Sequence, residues 1–220
     1  MIKALFFDVD DTLLAFEPSA KLAYIETCEY FKVTFNNEIY QQYKQINRQL
    51  WQQHDKGLIS RDELMLKRHQ LVFGEDFDAK PFNDHFLSQI AKHAFLLEGA
   101  KETILDLSQK YTLFVASNSE YQLQSQRLQL AGIKDYFQAI FCSKEVGHAK
   151  PSKAFFEYCI KASGYKPQEI MMIGDNPATD IIGARAANLK TCYFNRHPQE
   201  KQQVDCDLEI FKLKDLLGSL

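Results

Sequence analysis

The chain has no CxxC pair, no long run of Lys or Arg, no apolar stretch near the length of a membrane span, no internal repeat and no low-complexity linker. Each absence removes a class of protein. Five cysteines, Cys28, Cys142, Cys159, Cys192 and Cys206, are scattered and odd in number. That argues against a disulfide framework or a zinc site and for reduced, mostly buried thiols. With 26 Lys and Arg against 29 Asp and Glu, the net charge is −3. Such a balance does not suit a protein that tracks a nucleic-acid polymer, but it leaves room for a small nucleotide in a locally basic pocket. The apolar run Ile2–Phe7 is too short for a signal peptide and ends in acids. Without a membrane span either, a cytoplasmic enzyme is the expectation.

What is present fits a sizeable folded unit. Of 220 residues, 45% are hydrophobic and 25% charged, enough for one substantial domain or a core carrying a smaller insertion. Ile2–Phe7 reads as a buried parallel strand followed by the polar loop Asp8-Val9-Asp10-Asp11-Thr12. From Pro18 to His93 the apolar residues recur at helical spacing, as at Ile39, Tyr43, Ile46 and Leu50, which predicts several helices and no strand. Gly57 and Ser60 mark a break there, and Ser60 with Glu63 reads as a capping box. After Ala100 strands and helices alternate. Strands are predicted at Tyr111–Ala116, Ala139–Cys142, Ile170–Ile173, Lys190–Phe194 and Leu208–Phe211. Helices are predicted at Tyr121–Ala131, at Pro151–Ser163 with Gly164 past its end, and at Ala178–Ala187, before a short terminal helix. The alternation implies an α/β fold with a parallel sheet and helices on both faces; the early helical segment is an insertion.

Ligands bind outside the carboxyl ends of the strands in such sheets. Four polar clusters sit at those ends: Asp8 to Thr12, Ser117-Asn118, Lys150-Pro151, and Gly174-Asp175 with Asp180 close behind. Four carboxylates in one crevice, from Asp8, Asp10, Asp175 and Asp180, call for a divalent cation and a basic residue. Hard oxygen ligands suit magnesium, and the cation beside Lys150 would make the crevice a phosphate receptor. A carboxylate there can attack phosphorus, and a second one two residues on can reach the leaving oxygen.

These clusters resemble the four motifs of the haloacid dehalogenase superfamily of phosphohydrolases: DxDx(T/V) at Asp8–Thr12, the strand-ending Ser117, Lys150 before Pro151, and GDxxxxD at Gly174–Asp180. The resemblance covers essentially the whole chain. It implies a Rossmann-like doubly wound core over residues 1–15 and 95–220 and a helical cap over 16–94. It casts Asp8 as nucleophile and Mg2+ ligand, and Asp10 as acid and then base, with its carbonyl on the metal. Ser117, Asn118 and Lys150 would bind the phosphoryl group, with Lys150 neutralising it and restraining Asp8. Asp175 would complete the metal site, while Thr12 and Asp180 would play supporting parts. Asp11 departs from the pattern, since many members carry Gly there.

The cap segments around Phe31-Lys32-Val33, Tyr43-Lys44-Gln45, Leu50-Trp51 and Gly57 look like the noncanonical pyrimidine 5′-nucleotidase branch, as do Arg127-Leu128 and Ser143–Pro151. That implies a small phosphorylated substrate, a nucleoside monophosphate such as dUMP, UMP or dTMP, handled by a monomer or weak homodimer. Phe16 and Trp51 are the candidate substrate contacts of the cap, each with packing as the alternative role. The core motifs equally permit a sugar phosphate, an acylneuraminate 9-phosphate or phosphoglycolate, and the fold alone permits a catalytically silent binding module. Haloacid dehalogenation is disfavoured, because it needs no leaving-group acid such as Asp10.

Overall fold

The computed structural model describes residues 1–199 and 203–220. Its strands are β1 (Ala4–Phe7), β2 (Leu14–Ala15), β3 (Phe95–Leu96), β4 (Thr112–Ser117), β5 (Phe137–Cys142), β6 (Ile170–Gly174), β7 (Lys190–Phe194) and β8 (Leu208–Ile210). Six of them form one parallel sheet in the order β5-β4-β1-β6-β7-β8. The helices are α1 (Phe16–Phe31), α2 (Asn37–Asp55), α3 (Arg61–Phe73), α4 (Ala79–Ile90), α5 (Ala100–Ser108), α6 (Tyr121–Leu130), α7 (Ser143–Val146), α8 (Lys153–Ser163), α9 (Ile182–Ala186) and α10 (Leu216–Ser219). The chain divides into two compact units, Met1–Phe16 with Ala94–Leu220, and Glu17–His93.

β1 explains the sheet unit. All four of its residues are buried, because helices cover both faces of a parallel sheet. Alternate side chains serve opposite faces. Leu5 and Phe7 join one apolar cluster with Ile104, Leu113, Val115, Leu128 and Ile173. Ala4 and Phe6 join the other with Phe114, Phe141, Phe155, Phe156 and Met172. Phe6 sits edge-on to Phe114 at 5.3 Å and to Phe141 at 6.0 Å. Burying one such side chain is worth about 1.5–3 kcal/mol. With β1 paired to β4 on one side and β6 on the other, the loops leaving these three strands emerge together at one edge.

The helical unit contains no strand among the described residues, as its 3.6-residue periodicity predicts. Asn36 caps α2 by accepting from the Ile39 N–H at 2.8 Å, and Ser60 caps α3 by accepting from the Glu63 N–H at 3.1 Å. Only half of the expected capping box forms: the Glu63 carboxylate turns to Lys67 one turn on, at 3.4 Å. Among the described residues no helix is long and apolar enough to cross a membrane.

Three local expectations need correction. The antiparallel pair β2–β3 was not foreseen, because two residues are too few to show a period. Helix α8 begins at Lys153, not Pro151, since Pro151 still belongs to the preceding turn. The helix expected at Ala178–Ala187 is split into a π turn over Pro177–Ile181 and the short α9. Asn176 caps that turn, accepting from the Ala178 and Thr179 N–H groups at 3.0 and 3.4 Å.

Candidate active site

Asp8 follows β1 directly, Ser117 ends β4, Asp175 follows β6, and Lys150 lies beyond β5 in the turn between α7 and α8. Parallel strands place all four at one edge. The Lys150 ammonium is 1% exposed, and its three protons are all engaged. They go to Asp8 Oδ1 at 2.7 Å, the Ala116 carbonyl at 2.7 Å and Asp180 Oδ1 at 2.6 Å. The sequence reading had Lys150 bind and neutralise the phosphoryl group and restrain Asp8. In this geometry one donor is on Asp8 and none is left for a direct phosphate contact.

Asn118 needs a similar correction. Its amide donates to the Lys150 carbonyl at 2.8 Å, and its Oδ1 accepts from the Lys150 N–H at 2.7 Å. The side chain therefore straps the Lys150 backbone in place and is not available to a phosphoryl group. The peptide bond from Lys150 to Pro151 is cis. Ser117 is buried, and its hydroxyl accepts from Gln124 at 3.1 Å, which keeps its own proton for donation.

Asp8, Asp175 and Asp180 each offer an oxygen within 4.8 Å of the others. Burial pushes the Asp8 carboxyl up to about 7; Lys150 pulls it down in part, and Asp180 pushes it further up. Burial, then Asp8 and Asp180, hold Asp175 well above the usual carboxylate range. Burial alone would lower the Lys150 ammonium, but Asp180 and Asp8 keep it above its ordinary value. Three acids against one cation leave the cluster short of positive charge.

The remaining oxygens are informative. Asp180 gives Oδ1 to Lys150 and accepts the Asn176 N–H on Oδ2 at 3.1 Å, so both are occupied. A side chain at Gly174 would fall on the Asp180 carboxylate, which is why the residue before Asp175 has none. Asp8 gives one oxygen to Lys150, and Asp175 gives one to the Thr12 hydroxyl at 3.1 Å. Among the described residues the other oxygen of each takes no hydrogen bond. Thr12 also accepts the Asp175 N–H at 3.1 Å and so ties the first loop to the fourth.

Asp11 has φ +61°. That left-handed conformation favours Gly, and Asp is among the few other residues that tolerate it. Its Oδ1 accepts from Arg196 at 2.6 Å and from the Phe16 N–H at 3.3 Å, which secures the turn.

Asp10 reveals what the sequence reading missed. Arg127 donates to its Oδ1 at 2.5 Å and Gln124 to its Oδ2 at 2.8 Å. Both donors come from α6 and are fully buried. Their signal in the sequence was faint: a helix whose polar Gln124 and Arg127 fall on the stripe between Leu123 and Leu128, where apolar residues are expected. Phe16 lies 5.9 Å from the Arg127 guanidinium, within the sheet unit. Trp51 belongs to the helical unit, where it packs with Leu50, Leu64 and Met65 and meets His54 edge-on at 5.3 Å.

Comparisons with known proteins agree on the kind of molecule. The pyrimidine 5′-nucleotidase YjjG of Escherichia coli is 31% identical over 202 residues, 90% of this chain and 88% of that protein. The pyrimidine 5′-nucleotidase PynA of Streptococcus pneumoniae is 28% identical over 224 residues, 99% of this chain and 94% of that one. The crystal structure of the HAD-hydrolase YfnB from Bacillus subtilis, bound to magnesium and showing interdomain movement, is similar with a TM-score of 0.92 and 30% identity. That match covers 100% of this chain and 98% of the other. A family model for the haloacid dehalogenase-like hydrolases matches residues 2–188, and the chain belongs to that family.

Proposed function

We propose that the protein is a magnesium-dependent phosphomonoesterase acting through Asp8, with pyrimidine nucleoside 5′-monophosphates as substrates. The observation that carries this reading is the Asp8 carboxylate itself: buried, fixed by Lys150 on one oxygen, and unbonded on the other. A fixed carboxylate with an open oxygen is a nucleophile held in place.

The donor set fits a hard divalent cation. Asp175 keeps an oxygen free of hydrogen bonds among the described residues, the Asp8 oxygen bonded to Lys150 has a second lone pair, and the cluster lacks positive charge. These two side chains and the Asp10 carbonyl are the residues assigned to hold magnesium. When bound, it supplies charge neutralisation for the approaching phosphoryl group. Asp180 is assigned to hold Lys150 rather than the metal, because both of its oxygens are taken.

In the first step the free Asp8 oxygen bonds to phosphorus, the ester P–O bond breaks, and the Asp10 proton passes to the leaving oxygen. In the second step a water oxygen bonds to phosphorus, its proton passes to Asp10, and the bond to Asp8 breaks. Inorganic phosphate leaves and both carboxyls return to their starting states. Ser117 donates its proton to a phosphoryl oxygen, joined by the Asn118 backbone N–H. Lys150 keeps Asp8 aimed and offsets the charge that gathers around it.

All of these residues address the phosphoryl end, so substrate choice is assigned to Glu17–His93, with Trp51 and the adjoining Phe16 as candidate contacts. The nucleotide assignment draws on the relatives named as pyrimidine 5′-nucleotidases. Phosphate release from dUMP, UMP, dTMP, sugar phosphates, phosphoglycolate and an acylneuraminate 9-phosphate tests it, run with magnesium and with a chelator. Magnesium-dependent release that is highest with the pyrimidine nucleotides is expected. Preference for another phosphate would overturn the substrate reading, and turnover undiminished by chelator would overturn the metal.

A further inference from the structure

Asp10 is held on both oxygens by a pair of buried side chains that lie outside the four core motifs. Gln124 and Arg127 stand three residues apart on α6, so they share one face of the helix. Their side chains close a ring. Gln124 Nε2 donates to Asp10 Oδ2 at 2.8 Å and to Ser117 Oγ at 3.1 Å. Arg127 Nη1 donates to Asp10 Oδ1 at 2.5 Å and to Gln124 Oε1 at 3.1 Å. The Arg127 side chain is 0% exposed, whereas that of Asp10 is 30% exposed. Burying a guanidinium costs several kcal/mol unless an anion meets it, so its placement here needs a reason.

We infer that Arg127 and Gln124 are positioning residues that set the orientation of Asp10 for proton transfer to the leaving group. This rests on the phosphomonoesterase reading above. A carboxylate has about four lone-pair positions, and the two donors occupy two of them. The clamp therefore fixes the plane of the group while the positions on its exposed edge remain for the proton. Without the clamp, Asp10 turns about its own side-chain bonds, and the proton is no longer delivered along one line. Gln124 also couples the two ends of the reaction, because the same amide group touches Asp10 and the phosphate-facing Ser117.

The inference separates two substrates. A nucleoside leaves as an alkoxide and needs a proton; the phenolate of p-nitrophenyl phosphate does not. Single-turnover measurements, with enzyme in excess, read the first step alone. Arg127→Met is expected to slow nucleoside release from a nucleoside monophosphate by about ten- to hundredfold. Release of p-nitrophenolate should stay within about threefold of wild type, as should half-saturation by either substrate. Should Arg127→Met fail to fold, Arg127→Lys carries the same test: it keeps the charge, moves the donor, and is expected to show the same selectivity at smaller size. Equal slowing of both substrates would mark a merely structural role and overturn the inference, as would no slowing of either. A wild type that releases neither leaving group would overturn the phosphomonoesterase reading, and a failure of the inference alone would leave wild-type turnover intact.

Discussion

Both units bury cations, and the two do it differently. In the sheet unit Lys150 lies between Asp8 and Asp180, and Arg127 lies on Asp10. In the helical unit Arg68 is as deeply buried, yet its guanidinium donates to neutral amides, Asn83 at 2.6 Å and Asn47 at 3.2 Å. Its remaining support is the Phe86 ring at 5.2 Å. Beside it His69 stacks on Tyr43 at 5.7 Å and shares Asn83 Oδ1 at 3.3 Å. Opposed charges in a dry site make strong local fields and open positions for chemistry. Neutral amides and rings around a lone cation only make it tolerable. The first arrangement is the kind that suits a reaction centre, and the second the kind that suits a packed core.

The largest expected effect breaks the charged cluster at Asp8, the proposed nucleophile. Asp8→Asn is expected to lower phosphate release by on the order of a thousandfold or more. It also removes one of three crowded acids, so thermal unfolding should be unchanged or shifted upward. A variant that lost its fold along with its activity would mean that Asp8 is structural.

Next in size is Lys150→Met. It leaves Asp8 and Asp180 facing each other without their shared cation, and a loss of about 3 kcal/mol by urea unfolding at neutral pH is expected. Added magnesium should restore part of that loss. Full stability without the lysine would show that the carboxylates do not depend on it.

In the helical unit the expected effect is a pH slope. Burial, and then the neighbouring Arg68, hold the His69 imidazolium well below the ordinary 6.5, so the folded chain keeps it neutral. The unfolded chain takes up that proton first. Stability from this site is therefore complete above pH 6.5 and is lost as the pH falls below it. Urea unfolding from pH 7.5 to 5 should show a shallower slope in His69→Gln than in wild type; identical slopes would contradict it.

The smallest effect completes the comparison. Arg68→Met exchanges a cation without a carboxylate partner among the described residues for an apolar chain, and a change within about 1 kcal/mol is expected. A loss as large as that of Lys150→Met would mean that the two buried cations are equivalent after all.

The sheet was legible because β1, β4 and β6 are continuous apolar runs bounded by polar loops, a pattern that needs no tertiary information. Asp8, Ser117 and Asp175 were legible for the same reason, since each sits where such a run stops, whereas Lys150 lies beyond α7 and was legible through the motif resemblance. The resemblance implies phosphate contacts for Asn118 and Lys150, but three-dimensional neighbours decide what a donor does, and theirs are each other and two acids. Arg127 was visible only as part of a resemblance, and the roles of Gln124 and Arg127 were hidden because a polar residue on a helix normally faces water; only the Asp10 carboxylate over 110 residues away makes their burial sensible. Asp11 was visible as a departure from glycine, but its consequence needed the backbone angle.

The most direct test of the account is to look for the covalent intermediate. Asp10→Asn should retain attack by Asp8 on p-nitrophenyl phosphate, which needs no leaving-group proton, while slowing the water step. Acid quenching followed by peptide mass analysis should then find one phosphoryl group on the peptide holding Asp8, absent in the Asp8→Asn protein. Steady phosphate release with no adduct on that peptide, or an adduct on another residue, would contradict Asp8 as the nucleophile.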